Sequence, residues 1–288
     1  MREKNAVSLF LMITLALSAV CFFVRIWGGD EMTVMTSVLM WCPGIAAFIT
    51  QGVYYPGQKI LGIHFCSFRY VLLGLLTPVL YLGVSYGIFW MVFRETMTGK
   101  MPYDSAWMYI LPGLLSVLTA AGEEIGWRGF LLPKLEELWN LKMAVVVSGL
   151  IWAAWHFPLI VTGLYRSGIP AWYQIPLFTV EILAMTLILA VLRTRSCSIL
   201  PVVFFHASHN FLDRMIFSSL TAGDMKPYFV GDTGWMTAVV LILAAACIAL
   251  TAGWFMDLRI VNPVRVIRKR IGDKRINAEK EAAEAWKD

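Results

Sequence analysis

Apolar stretches of about twenty residues, the length of helix that crosses a hydrocarbon layer of roughly 30 Å, recur along the whole chain. That one feature restricts the fold more than any other. Inside lipid a single segment can satisfy its own backbone polar groups only as a helix. The expected architecture is therefore all-α and polytopic, with about eight transmembrane helices. Hydropathy sets them at Val7 to Trp27, Val34 to Tyr54, Tyr70 to Phe93, Ala106 to about Leu132, Met143 to Thr162, Ile175 to Leu192, Ile199 to Phe217 and Trp235 to Phe255. The first follows Met1-Arg2-Glu3-Lys4 and imitates a signal peptide, but it is long for one and leads into another span, so it reads as retained.

Composition supports a bilayer over a soluble core. Of 288 residues, 59% are hydrophobic and 15% charged, against about 25% charged in soluble domains. The net charge of +5 does not call for nucleic acid, because the basic residues lie between apolar runs and in the tail, where anionic lipid headgroups are the simpler partner. Cys21, Cys42, Cys66, Cys197 and Cys247 form neither a CxxC pair nor a zinc-type spacing and read as small buried hydrophobes.

Charge bias orients the spans. With the N-terminus in the cytoplasm, that side collects Arg2, Lys4, Lys59, Arg69, Lys134, Lys142, Arg193, Arg195 and a basic tail from Arg265 to Arg275. The opposite side receives fewer cations, together with Asp30, Glu31, Asp104, Asp224 and Asp232. Both termini are thus expected in the cytoplasm. With compact loops and no arginine-rich, acid-poor transit segment, the expected location is a prokaryotic cytoplasmic membrane. The expected organisation is N-terminal helices over 1–105, a catalytic core over 106–217, a last helix over 218–258 and a cytoplasmic tail over 259–288. Apolar faces of this length are expected in a lone chain and in an oligomer alike.

Ionisable groups in such spans are costly and mark function or a buried pair. The densest segment runs from Ala121 to Gly129 and contains Glu123, Glu124, Trp127 and Arg128. On a helix Glu124 and Arg128 can meet, while Glu123 points about 100° away from Glu124 and stays free to act on water. The alternative is a salt-bridged helix end. A second segment carries Trp152, Trp155 and His156, with Pro158 suggesting a kink beyond. There the histidine is either reactive or simply a polar group bonded to a neighbouring backbone. A third carries His206 and Asn210 on one face, two donors of the kind an oxyanion needs, or else glue between helices. His209 is expected to face elsewhere, as a packing or hydrogen-bonding residue.

Depth links the three. Glu123 is 11 residues from Lys134, His156 14 from Lys142 and His206 11 from Arg195, which is roughly 16, 21 and 16 Å of helix. One cytoplasm-leaning polar layer is the simplest arrangement. Glu123, His156 and His206 also make a possible zinc set, although no HExxH is present and Asn210 would be an odd addition.

These segments resemble the CPBP family, the CAAX proteases and bacteriocin-processing enzymes also called Abi, whose best-understood branch is the type II CAAX prenyl endopeptidases. The EExxxR hallmark stands here as Glu123, Glu124 and Arg128, FxxxH as Trp152 to His156 with tryptophan for phenylalanine, and HxxxN as His206 to Asn210. The resemblance covers about a hundred residues, from near Tyr109 to near Phe211. It implies an intramembrane glutamate protease, and the residues themselves are read as a water-activating carboxylate site with no cofactor or metal expected. Glu123 and His156 would activate water, His206 and Asn210 would bind the oxyanion, and Glu124 and Arg128 would hold the site in shape. Trp127, Trp152 and Trp155 are the expected walls of the substrate pocket. The implied substrate is a membrane-associated protein or peptide; a prenylated C-terminus, a secreted peptide and a bacteriocin all fit. The other readings are a non-catalytic scaffold or immunity protein, a zinc-dependent membrane protease and a transporter.

Overall fold

A computed structural model describes residues 1–28, 34–165 and 168–252. Within them the chain is helical. In order come α1 (Arg2–Trp27), α2 (Val34–Tyr54), α3 (Phe68–Val92) and α4 (Ile110–Glu124). A π-helical turn (Ile125–Leu131) then runs directly into α5 (Leu132–Leu138). After these follow α6 (Leu141–Val161), α7 (Ala171–Ser196), α8 (Leu200–Phe211) with a π-helical extension (Leu212–Phe217), α9 (Lys226–Phe229) and α10 (Trp235–Thr251).

Six of these segments are long and apolar enough to cross a membrane: α1, α2, α3, Ala106–Leu138, α6 and α7. Their surfaces fit that setting. Leu15, Leu80 and Val84 stand exposed in the middle of α1 and α3, as residues facing lipid tails do. The protein is an integral membrane protein with six long apolar candidate spans. Of the other two expected spans, α10 is a shorter apolar helix of the described residues, and α8 with its extension carries His206, His209, Asn210, Asp213 and Arg214 among its apolar residues. The fourth segment is longer than expected, 33 residues as one rod. The expected tail and the end of the last span at Phe255 lie outside the described residues, as do Asp30 and Glu31.

Packing brings the motif-bearing helices together. α2 lies along α4 and the π turn, α4 against α8, α8 against α3, and α6 against α7, which also meets α10. The α2 contact is unusually close. A Cβ on Gly122 would stand 2.7 Å from the Met40 carbonyl oxygen, and one on Gly44 2.6 Å from the Gly122 carbonyl oxygen. Only glycine lets two backbones approach this far, a packing device common between membrane helices. The Asn140 side chain accepts from the Met143 amide at 3.0 Å and starts α6. Pro158 is carried within α6, which continues to Val161.

Two expectations are corrected. Only Cys21 and Cys42 are buried; Cys66 and Cys197 are half-buried and Cys247 is exposed on α10, because that helix turns a face outward. Arg193 and Lys134, counted as loop charges, are buried side chains, Lys134 reaching Glu137 at 3.2 Å. Their helices run on past the expected ends and carry these cations into the packed interior.

Candidate active site

α4, α6 and α8 each present their polar residues to one cavity, whose walls include Glu123, Trp152, Trp155, His156, His206 and Asn210. Glu123 stands near the end of α4 and is 2% exposed. Its Oε2 accepts a hydrogen bond of 2.7 Å from the indole Nε1–H of Trp152, which leaves Oε1 for other work.

Trp152 also orients the histidine one turn further along α6. His156 Nδ1 lies 2.8 Å from the Trp152 carbonyl. A carbonyl only accepts, so Nδ1 carries the proton and Nε2 is left with its lone pair. One residue thus fixes both Glu123 and His156, through its side chain and its main chain.

Glu124 has a different environment. It is fully buried, and Oε1 receives Arg128 Nη1 at 3.0 Å and His206 Nδ1 at 2.8 Å. Arg128 donates its Nη2 to Thr186 Oγ1 at 3.1 Å and lies 3.9 Å over the Trp152 ring. A buried carboxylate met by two cationic or polar donors is held rather than free. His206 is anchored through Nδ1 and lines the cavity, with Nε2 as its other ring nitrogen. Neither Glu124 nor Arg128 is among the residues lining the cavity.

Trp127 departs from expectation. It is buried in the core, with ring centroids 5.9 Å from Phe10 and 5.8 Å from Trp155, and is not among the lining residues. The π turn directs this ring toward α1 and away from the opening. Trp155 lines the cavity and is held from behind, its Nε1 donating to Ser18 Oγ at 2.8 Å.

His209 was expected to face away; it lines the cavity as well. Its Nε2 meets Asp232 Oδ1 at 2.7 Å and its Nδ1 pairs with the Tyr81 hydroxyl. Asp232 Oδ2 accepts from the Tyr165 hydroxyl at 3.0 Å, with Arg214 at 3.8 Å. The helix widens just after this residue, and the loop carrying Asp232 folds back beside it. Glu181, in the middle of α7 and 3% exposed, lines the same space. A carboxylate inside an apolar run was the available signal for it, and the sequence reading passed over it. Among the described residues, no group of three or more His, Cys, Asp or Glu side chains is arranged to hold a metal ion.

Residues 105–212 match a family described as type II CAAX prenyl endopeptidase Rce1-like. A CAAX prenyl protease 2 from Methanococcus maripaludis is 36% identical over 96 residues, which is 31% of this chain and 35% of that protein. The chain therefore matches about a third of the length of this curated relative. Every motif residue from Glu123 to Asn210 falls within the matched core, whereas Arg214 and Asp232 lie beyond it.

Proposed function

We propose that this chain, whose residues 105–212 are similar to the type II CAAX prenyl endopeptidase Rce1-like family, is a metal-independent intramembrane endopeptidase, cutting a membrane-associated protein or peptide. The observation that carries this reading is the shared anchoring of Glu123 and His156 by Trp152, beside His206 and Asn210 on one cavity.

Glu123 Oε1 and His156 Nε2 are both acceptors. A water between them gives one proton toward each and turns a lone pair to the substrate carbonyl. Glu123 takes the proton as the water attacks, the general-base step. The oxygen of the former carbonyl gathers negative charge. His206 Nε2 and the Asn210 amide are the donors that meet it. With Nδ1 already engaged by Glu124, a proton on Nε2 makes His206 an imidazolium, whose charge the buried carboxylate balances. Breakdown of the tetrahedral intermediate then returns the proton from Glu123 to the leaving amine. Glu124 and Arg128 act from behind, holding His206 and the Trp152 ring.

In the proposed membrane arrangement, α8 and α10 complete eight spans with both termini cytoplasmic, and the cavity's rim residues Thr36, Tyr165, Arg214 and Asp232 lie toward the opposite face. A peptide tethered in the same leaflet reaches such a site without leaving the bilayer.

The test compares protein termini in membranes of cells making the intact protein or its Glu123→Gln form at matched levels. Termini that appear only with the intact protein are expected, and the residues flanking them define the substrate class. The same termini from both forms would refute the reading. Trp152→Phe, which restores the residue usual in the family, removes one hydrogen bond to an ionised carboxylate, of about 1.5–3 kcal/mol. It is expected to lower kcat about tenfold with the ring packing kept, measured on the purified protein.

A further inference from the structure

The π-helical turn leaves one of its own carbonyls stranded. Leu132 donates its N–H to the Trp127 carbonyl, five residues back. The next donor in that register, at position 133, would serve the carbonyl of Arg128. Position 133 is proline, which has no N–H. Leu132 is already engaged, so the helix leaves the Arg128 carbonyl without its backbone partner, inside the protein. A buried orphan carbonyl needs a donor from elsewhere.

That donor comes from α7. Arg193 is 3% exposed, and its Nε lies 3.2 Å from the Arg128 carbonyl oxygen. Two turns earlier on the same face, Thr186 accepts from the Arg128 guanidinium. α7 therefore grips Arg128 by main chain and side chain together. The loop before α3 makes room for the contact: Gly62 has φ +72°, and a Cβ there would stand 2.5 Å from Arg193 Nη2. Arg193 Nη1 has no hydrogen-bond partner among the described residues. Burying an incompletely satisfied guanidinium is costly, and packing alone would be served better by methionine.

We propose that Arg193 is a positioning residue for the hydrolytic site, taking the carbonyl that Pro133 strands and so holding the π turn in the register that sets Arg128 against Glu124 and Trp152. The proposal rests on the peptidase reading for its kinetic consequence, but the hold on the turn is measurable by itself.

The experiment uses the full chain purified in detergent, as Arg193→Met, Pro133→Ala, the two combined, and Arg193→Lys. Arg193→Met is expected to lower kcat about 10- to 100-fold with KM within about threefold, because the reacting groups are misplaced rather than removed. Amide hydrogen exchange across residues 126–132 should rise about tenfold in the same protein. Pro133→Ala supplies an N–H to the stranded carbonyl. In the Arg193→Met background it should recover most of both losses, and alone it should change kcat less than about twofold. Arg193→Lys, keeping one donor, should fall between.

Unchanged exchange in Arg193→Met would overturn the proposal. So would a double variant as slow and as open as Arg193→Met, because the loss would then come from the missing charge or bulk. If Arg193→Met does not accumulate, accumulation restored by adding Pro133→Ala supports the proposal, and failure of the pair overturns it. An intact protein that cut no peptide while exchange followed the expected order would end the peptidase reading and leave the Arg193 contact standing.

Discussion

Purified Glu123→Gln protein should hydrolyse peptides about a thousandfold more slowly than the intact chain, within the range lost when a general base is removed, while melting within a few degrees of it. The two halves of that result have separate causes. Glutamine cannot take a proton from water. Its carbonyl oxygen can still accept from Trp152 Nε1, which lies 2.7 Å from Oε2 in the native protein, so the α4–α6 contact survives. Glu124→Gln should behave in the opposite way. It leaves the buried Arg128 guanidinium without its carboxylate, and breaking a buried ion pair on one side costs about 3–5 kcal/mol. Loss of yield and melting temperature would therefore precede any kinetic reading. A Glu123→Gln enzyme keeping more than a tenth of native kcat would remove Glu123 from the base role. In the same assay, chelators should leave native turnover within about twofold; loss restored by zinc would favour a metal-bound water instead.

The second large effect is expected at Gly126, in the π turn. A Cβ there would lie 2.4 Å from Pro43 Cβ and 2.6 Å from the Pro43 carbonyl carbon. Neither atom belongs to a flexible side chain, so Gly126→Ala must push α2 away from the turn that carries Arg128. Overpacking of this kind costs about 3 kcal/mol at the upper end of its usual range. The expected outcome is a large drop in thermal stability and, where protein survives, weaker hydrolysis. Gly52 and Gly87 are the matched controls, since a Cβ at either meets nothing within 4 Å. Alanine there should be neutral or stabilise by up to about 1 kcal/mol through helix propensity. Equal behaviour of Gly126→Ala and Gly52→Ala would mean the helices adjust freely at the crossing.

Periodicity and local spacing made part of this legible from residues alone. Apolar runs betrayed the helices because each must match a hydrocarbon thickness. Glu124 and Arg128 were paired correctly because four residues is one turn, and the polar groups at Glu123, His156 and His206 were expected at one depth. What escaped is nonlocal or hangs on a single turn of helix. Nothing near Trp152 in sequence says that its indole N–H ends on Glu123. The contact of His209 with Asp232 joins residues on either side of a widened turn and a loop. Trp127 was assigned to the cavity wall because it sits beside the motif, yet one residue along a helix is a rotation of about 100°, enough to move a ring from wall to core. The contact proposed to hold the π turn joins a carbonyl left without a donor by Pro133 to an arginine sixty residues later, and hydropathy registers neither.

The 33-residue rod that carries Glu123 also has a consequence for the lipid around it. Large exposed apolar side chains occupy it only from Trp107 to Leu118, and from Gly122 to Leu132 every residue is enclosed by other helices. Twelve residues give an apolar band of roughly 18 Å, against a hydrocarbon thickness of about 30 Å. Lipid that touches this helix directly meets only that short band, and the rest of the rod is screened from it by the neighbouring helices. On the peptidase reading, a band this short against a hydrocarbon layer of about 30 Å makes acyl-chain length an expected control on turnover.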